Sequence, residues 1–465
     1  MKFISTRKGL VANGPESVFQ GLAPDGGLYL PESLGSKKIE SLDDLKDMGQ
    51  AERFVLDVFF DDFPKEVREE AIARLLARFP QEDAVPLVKK GDLFYLELFH
   101  GSTGAFKDVA LSMLPVFMRY SASGRKVLVL TATSGDTGSA AMHGFAGVEG
   151  TKIIVFYPAD GVSRIQRLQM TTPSEANVRA VGIRGNFDDA QSAVKRIFAD
   201  KSMAELASSK SVTLSSANSI NTGRLIPQIA YYVLAGARLD KEFDVVVPSG
   251  NFGNILAAWY AKQLGTPIRK LVVASNVNDV LARFVKTGIY EPGAKFTVTN
   301  SPSMDIRLSS NVERLLWALN FNGDTHQACA ETSRLMADFA ANGKYELNDE
   351  AKKRLFAEFD SGVATEEETL SEMRRVREET GYVIDPHTAV SSFVARKLGL
   401  GKDGIPCVVA ATATAYKFPE TCEMAFGEVP EGKRPKSFEN LETLDVVQKG
   451  ICDIAEIDDE VKAFM

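Results

Sequence analysis

Cysteine and histidine are both scarce in this chain, with four of each among 465 residues. The cysteines, Cys329, Cys407, Cys422 and Cys452, are scattered, with neither the close pairs of a zinc site nor the pattern of a disulfide framework. The histidines are equally dispersed, so no metal is expected. No apolar run approaches the length that crosses a bilayer, and the opening MKFISTRKGL lacks the apolar core of a secretory signal. A cytoplasmic location without a membrane partner is therefore expected. Positive charge is not in excess either. The net charge of −8 argues against a broad nucleic-acid surface, while leaving room for a local cationic pocket around a small anion. Internal repeats and low-complexity linkers are missing as well.

What is present is the balance of an ordinary globular protein: 45% hydrophobic and 25% charged residues, on a chain long enough for two or three domains. Residues 1–92 look like a separate cap, with turn-rich segments STRKG and LAPDGGLYLPE and a helical spacing of Val67, Ile72, Leu75, Leu76 and Phe79 over 66–79. Over 93–299, short apolar runs alternate with helical patterns. The runs at 93–99, 126–131, 152–157, 178–183, 244–248 and 271–274 predict strands, with helices at 188–198 and 222–239 between them. This alternation predicts a parallel sheet covered by helices on both faces, with its site at the carboxyl ends of the strands. Over 300–384 the strand signal fades and 311–320, 324–341 and 365–380 predict a helical insertion. Residues 385–465 begin with Asp385-Pro386, an N-cap followed by a first-turn proline, and contribute a last strand at 406–411.

Three turns carry candidate chemistry. His100-Gly-Ser-Thr-Gly-Ala-Phe-Lys107-Asp108 follows a strand and leads into a helix, which sets Lys107 at a helix start. Held among apolar neighbours, such a lysine has a lowered pKa and becomes a nucleophilic amine; left in water, it is an ordinary surface cation. Thr133-Ser134-Gly-Asp136-Thr137-Gly138 follows the next strand, and its hydroxyls and freed amides suit a carboxylate or phosphate, although the composition is also that of a common turn. Ser249-Gly250-Asn251-Phe252-Gly253-Asn254 joins a strand to a helix, where backbone amides and the helix dipole favour a phosphate. It is neither a P-loop nor a dinucleotide fingerprint. Lysine, carboxylate-sized turn and phosphate cradle together match the needs of pyridoxal phosphate and an amino-acid substrate.

With SSANSINTGR at residues 215–224 and the STRKG…LAPDGGLYLPE opening, these turns resemble threonine synthase over nearly the whole chain, in the longer branch that carries an N-terminal cap. The resemblance implies an α/β fold of the tryptophan synthase β type (fold type II of the pyridoxal-phosphate enzymes). It also implies conversion of O-phospho-L-homoserine and water to L-threonine and phosphate. By position, Lys107 would form the Schiff base, with Asp108 beside it. Gly250, Asn251, Phe252, Gly253 and Asn254 would hold the cofactor phosphate, and Thr412 would meet the pyridine nitrogen. Ser102, Thr103, Ser134, Asp136, Thr137, Asn221, Arg224 and Lys417 are the candidates for substrate binding. Arg224 suits a phosphate by bidentate pairing, and is equally compatible with a structural salt bridge. One departure stands out: the family often has Thr-Ala-His-Pro-Ala-Lys-Phe where this chain has Thr412-Ala-Thr-Ala-Tyr-Lys-Phe418. A dehydratase or phospholyase of the same fold, yielding a 2-oxo acid, and a non-enzymatic nucleotide-binding protein are the rival readings. Monomer and homodimer are both open.

Overall fold

The computed structural model describes residues 1–33, 38–293, 296–430 and 435–465. Among the described residues the core strands divide between two sheets instead of forming the one expected parallel sheet. The larger runs, in spatial order, Phe359–Val363, Ile268–Ser275, Phe243–Pro248, Cys407–Ala411, Leu93–Glu97 and Leu87–Lys90. Every neighbour in it is parallel except the last pair. The smaller runs Gly450–Cys452, Val178–Ile183, Thr151–Pro158, Lys126–Ala132 and Val212–Ser216, all parallel. Apolar runs announce strands but carry no record of their partners, so the division into two sheets lies beyond a one-dimensional reading. The central strands are buried along their length, as Phe243–Pro248 and Cys407–Ala411 show. Parallel strands covered on both faces are apolar throughout, without alternation.

The stretch 300–384, expected to be helical, contains a strand of the larger sheet. Phe359–Val363 pairs in parallel with Ile268–Ser275. Its sequence, Phe-Asp-Ser-Gly-Val, has no apolar run, because Ser361 is buried by donating its hydroxyl to the Ala282 carbonyl at 2.8 Å. A short antiparallel pair, Ile289–Tyr290 with Tyr345–Glu346, also enters this stretch. The helix expected over 222–239 is divided into Thr222–Leu225 and Gln228–Leu239 at Pro227, which has no amide to donate. The hairpin Leu87–Lys90/Leu93–Glu97, turning at Gly91 (φ +59°), straddles the division expected at residue 92. The C-terminal stretch supplies a strand to each sheet.

Helix Lys107–Ser121 packs against cap helix Lys65–Arg78 and against helix Asp136–Phe145. Its residues 108–118 are buried on every side, so it behaves as a core element. Phe117 meets Phe60 and Phe63 of the cap with ring centroids 5.3 and 4.9 Å apart. That aromatic joint ties the cap to the element that begins with Lys107.

Candidate active site

Lys107 is the first residue of its helix, and the loop before it is shaped to put it there. Asp108 accepts from the Thr103 amide (2.8 Å) and the Thr103 hydroxyl (2.7 Å), which folds residues 101–105 back over the helix start. A Cβ on Gly101 would stand 2.5 Å from that of Asp108, so only glycine allows the approach. Asp108 and Thr103 are thus spent on the loop, and neither they nor Ser102 line the cavity that Lys107 enters.

The Lys107 ammonium lies 3.2 Å from Asp136 Oδ2, with 12% of the side chain exposed. Burial lowers its pKa, helped by the charges of Lys417 and Arg224 and opposed by Asp136. For Asp136, burial pushes the carboxyl up, but the charges of Lys107 and Lys417 prevail and hold it well below the usual carboxylate range. Each oxygen of this carboxylate has two polar neighbours. Oδ2 takes Lys107 and the Ser303 hydroxyl (2.8 Å); Oδ1 takes Gln166 Nε2 and faces Lys417 Nζ, both at 2.9 Å. The Asp136 carboxylate, expected to bind substrate, is thus engaged by Lys107, Lys417, Ser303 and Gln166. Lys417, with no exposed surface, stands behind it as an ion pair and does not line the cavity.

The Thr133–Gly138 turn is held by Thr133, whose hydroxyl accepts from the Gly135 and Gly138 amides at 2.9 Å each. That leaves the Asp136 and Thr137 amides, at the start of helix Asp136–Phe145, without an acceptor among the described residues. Ser134 and Thr137 line the cavity beside them.

The second anion-receptive edge is the loop at 249–254. Its carbonyls are tied down: Gly250 O accepts from Ser309 Oγ, and Asn251 O from the amide and side chain of Asn311. The amides of residues 250–255 have no acceptor among the described residues. Phe252 is left-handed (φ +63°), a strained conformation for an aromatic residue that persists only where its surroundings impose it. Gly250 is required because a Cβ there would lie 2.4 Å from the Ser303 carbonyl oxygen. Asn254 accepts from the Tyr232 hydroxyl, leaving its Nδ2 buried and unpartnered among the described residues. Arg224 is 2% exposed; its Nη1 donates to the Ala217 carbonyl at 2.6 Å, while Nε has no partner among the described residues. Among the described residues no carboxylate pairs with it, and burial lowers its pKa, to about 10. A buried guanidinium, a free side-chain amide and a row of free backbone amides at a helix start fit the phosphate of pyridoxal phosphate. Thr412, at the end of strand Cys407–Ala411, lines the same cavity, its carbonyl accepting from the Phe106 amide at 2.8 Å.

Asn221 is excluded. Its side-chain amide donates to the Val18 and Ser216 carbonyls and its oxygen accepts from the Gly223 amide, so it caps helix Thr222–Leu225 and lies off the cavity. Ser303, Gln166 and His387 were not singled out by the sequence. Ser303 and His387 line the cavity, and Gln166 holds Asp136. The departure at 414–416 falls away from the cavity. Thr414 packs its methyl 2.7 Å from where a Cβ on Gly104 would be, beside the Phe438 ring.

A model of the pyridoxal-phosphate dependent enzymes matches residues 85–412, and models of the threonine synthase N terminus and C-terminal region match 2–75 and 388–464. An aspartate racemase structure, only 12% identical with a TM-score of 0.51 over 76% of this chain and 98% of its own, has the same fold. Fold and site together define a pyridoxal-phosphate enzyme of the tryptophan synthase β type, fold type II. Threonine synthase from Saccharomyces cerevisiae is 36% identical over 88% of this chain and 86% of its own, and that from Pseudomonas aeruginosa 37% over 92% of each. The crystal structure of pyridoxal-phosphate-bound threonine synthase from Brucella melitensis superposes with a TM-score of 0.87 at 34% identity, covering 100% of this chain and 99% of that one. The yeast structure does so with a TM-score of 0.90 at 31% identity, covering 100% and 98%. The chain belongs to the threonine synthase family.

Proposed function

We propose that the protein converts O-phospho-L-homoserine and water to L-threonine and phosphate, with Lys107 as its catalytic amine. The observation that carries this is the pair of anion-receptive edges around one buried lysine: the amides of 250–255 with Arg224, and those of Asp136 and Thr137 with Ser134. The substrate and the cofactor each bring a phosphate, and the substrate adds a carboxylate, so one such edge would not suffice. The overall charge of −8 is no obstacle, because Lys107, Lys417 and Arg224 outnumber Asp136 within the site.

In this reading residues 250–254 and Arg224 seat the cofactor phosphate, and the Thr412 hydroxyl meets the ring nitrogen as a neutral partner. Ser134, Thr137 and the free amides of the second turn hold the substrate's anionic groups. Pyridoxal phosphate, when bound, supplies an aldehyde for the amine and an electron sink that acidifies the substrate's α-carbon. Lys107 Nζ, with its lowered pKa, is suited to take that proton and return it, while Asp136 keeps the ammonium form in place between transfers. Overall, the γ-carbon loses its bond to phosphate and gains a proton, becoming a methyl group, while the β-carbon gives up one proton and takes its hydroxyl from water.

The experiment is a paired measurement of phosphate, threonine and 2-oxobutyrate from purified protein given O-phosphohomoserine. Phosphate and threonine are expected in equal amounts. If 2-oxobutyrate dominates, the protein is a lyase on a synthase-like frame.

A further inference from the structure

We propose that His387 is a positioning residue that, through Ser303, fixes the Asp136 carboxylate against Lys107. The inference rests on the assignment of Lys107 as the catalytic amine.

His387 is 2% exposed, on the first turn of helix Pro386–Lys397. Its Nδ1 lies 2.8 Å from Asp385 Oδ1, and its Nε2 lies 3.1 Å from the amide nitrogen of Ser303. A backbone amide can only donate, so Nε2 must offer its lone pair and the ring proton must be on Nδ1, donated to Asp385. The ring is thus neutral, with both nitrogens engaged. Its orientation is further set by the Phe418 ring, whose centroid is 5.0 Å away, and by Asp385, which also binds the amides of His387 and Thr388. Turning the imidazole would break two hydrogen bonds.

Ser303 transmits this constraint. It lies in the short turn Pro302–Met304. Its hydroxyl donates to Asp136 Oδ2 at 2.8 Å, the oxygen that Lys107 approaches to 3.2 Å. Its carbonyl oxygen is the atom that closes the space over Gly250, at 2.4 Å from where a Cβ would be. One residue therefore locates both the lysine's counterion and the first residue of the phosphate cradle. His387 makes no hydrogen bond to Lys107 or Asp136, so it acts through Ser303.

A merely structural histidine would affect stability and leave the lysine's titration alone; a positioning one changes the titration. The test begins with borohydride reduction of the cofactor-loaded wild type and mapping of the tagged lysine, which should be Lys107. Tagging elsewhere overturns the functional reading, and this inference with it. With Lys107 confirmed, visible spectra across pH, kcat and KM are measured for His387→Leu, His387→Gln and Ser303→Ala. His387→Leu should move the midpoint of the spectral titration and lower kcat about tenfold, with a smaller change in KM. His387→Gln, whose side-chain oxygen reaches for the Ser303 amide, should stay within about threefold of wild type. Ser303→Ala keeps that amide but loses the bond to Asp136, and should move the midpoint in the same direction as His387→Leu. Should His387→Leu fail to fold, Ser303→Ala and His387→Gln decide by the same criteria. A wild-type titration in Ser303→Ala, or a glutamine variant as impaired as the leucine variant, overturns the inference.

Discussion

Lys107 takes its chemistry from side chains that reach it from distant parts of the chain. Asp136 arrives 29 residues later, and Arg224 and Lys417 from further still. Buried beside a surplus of positive charge, the amine gives up its proton more readily than a surface lysine does. Lys107→Ala should abolish the visible band that reports the lysine–cofactor bond, while free cofactor is still retained through the cradle at 250–254. Absorbance spectra with and without dialysis check this, and a persisting band would move the role to another lysine. Glu52 presents the opposite case, a carboxyl buried in cap helix Met48–Phe59 with neither oxygen partnered among the described residues. Burial raises its pKa well above 4.5. Because the folded state holds this proton more tightly than the unfolded one, the stabilisation is complete below the unfolded pKa. It is lost as pH rises from there towards the folded pKa. The slope is at most about 1.4 kcal/mol per pH unit. Glu52→Gln should remove that slope. Denaturant melts of both proteins from pH 4 upward test it, and parallel curves would refute it.

At the scale of elements, the site is built by loops at the carboxyl ends of strands, each followed by a helix. Such loops leave amides free at helix starts, which explains why glycines gather there. Gly250 is the most constrained of them, since an added Cβ would press on the Ser303 carbonyl oxygen. Gly250→Ala should displace the cradle at a cost of about 1–3 kcal/mol, seen as weaker cofactor binding in a titration. Unchanged affinity would mean that the phosphate sits elsewhere. Most of these elements were legible. Strand Val178–Ile183 has the ends its apolar run predicted, and helix Phe187–Ala199 extends one residue beyond each expected end. Phe359–Val363 was not legible, because a half-buried aspartate and a buried serine interrupt its pattern. Of the site, Lys107 and the cradle could be seen from glycine and hydroxyl spacing. His387 and Ser303 could not, since they stand 84 residues apart and neither lies in a glycine-rich turn.

For the molecule as a whole, the consequential contact is the aromatic joint of Phe60, Phe63 and Phe117 between the cap and the lysine-bearing helix. Phe117 has no exposed surface. Phe117→Ala should cost about 3–5 kcal/mol, and cap and core should still unfold in one transition if they share a core. Calorimetry on the variant checks both points; two separated transitions would show that the cap folds by itself. The apolar periodicity of the chain determined which segments become strands and helices. Its turn compositions determined where a lysine and an anion cradle could be made, because both signals depend on residues close in sequence. Only the tertiary structure decided that the core strands divide between two sheets, and that Asp136 is ringed by Lys107 and Lys417. It also left Arg224 without a carboxylate among the described residues, and set Asn221 to capping a helix. Those outcomes depend on which distant side chains share one desolvated space, where a charge's role is set by its neighbours and not by its position in the chain.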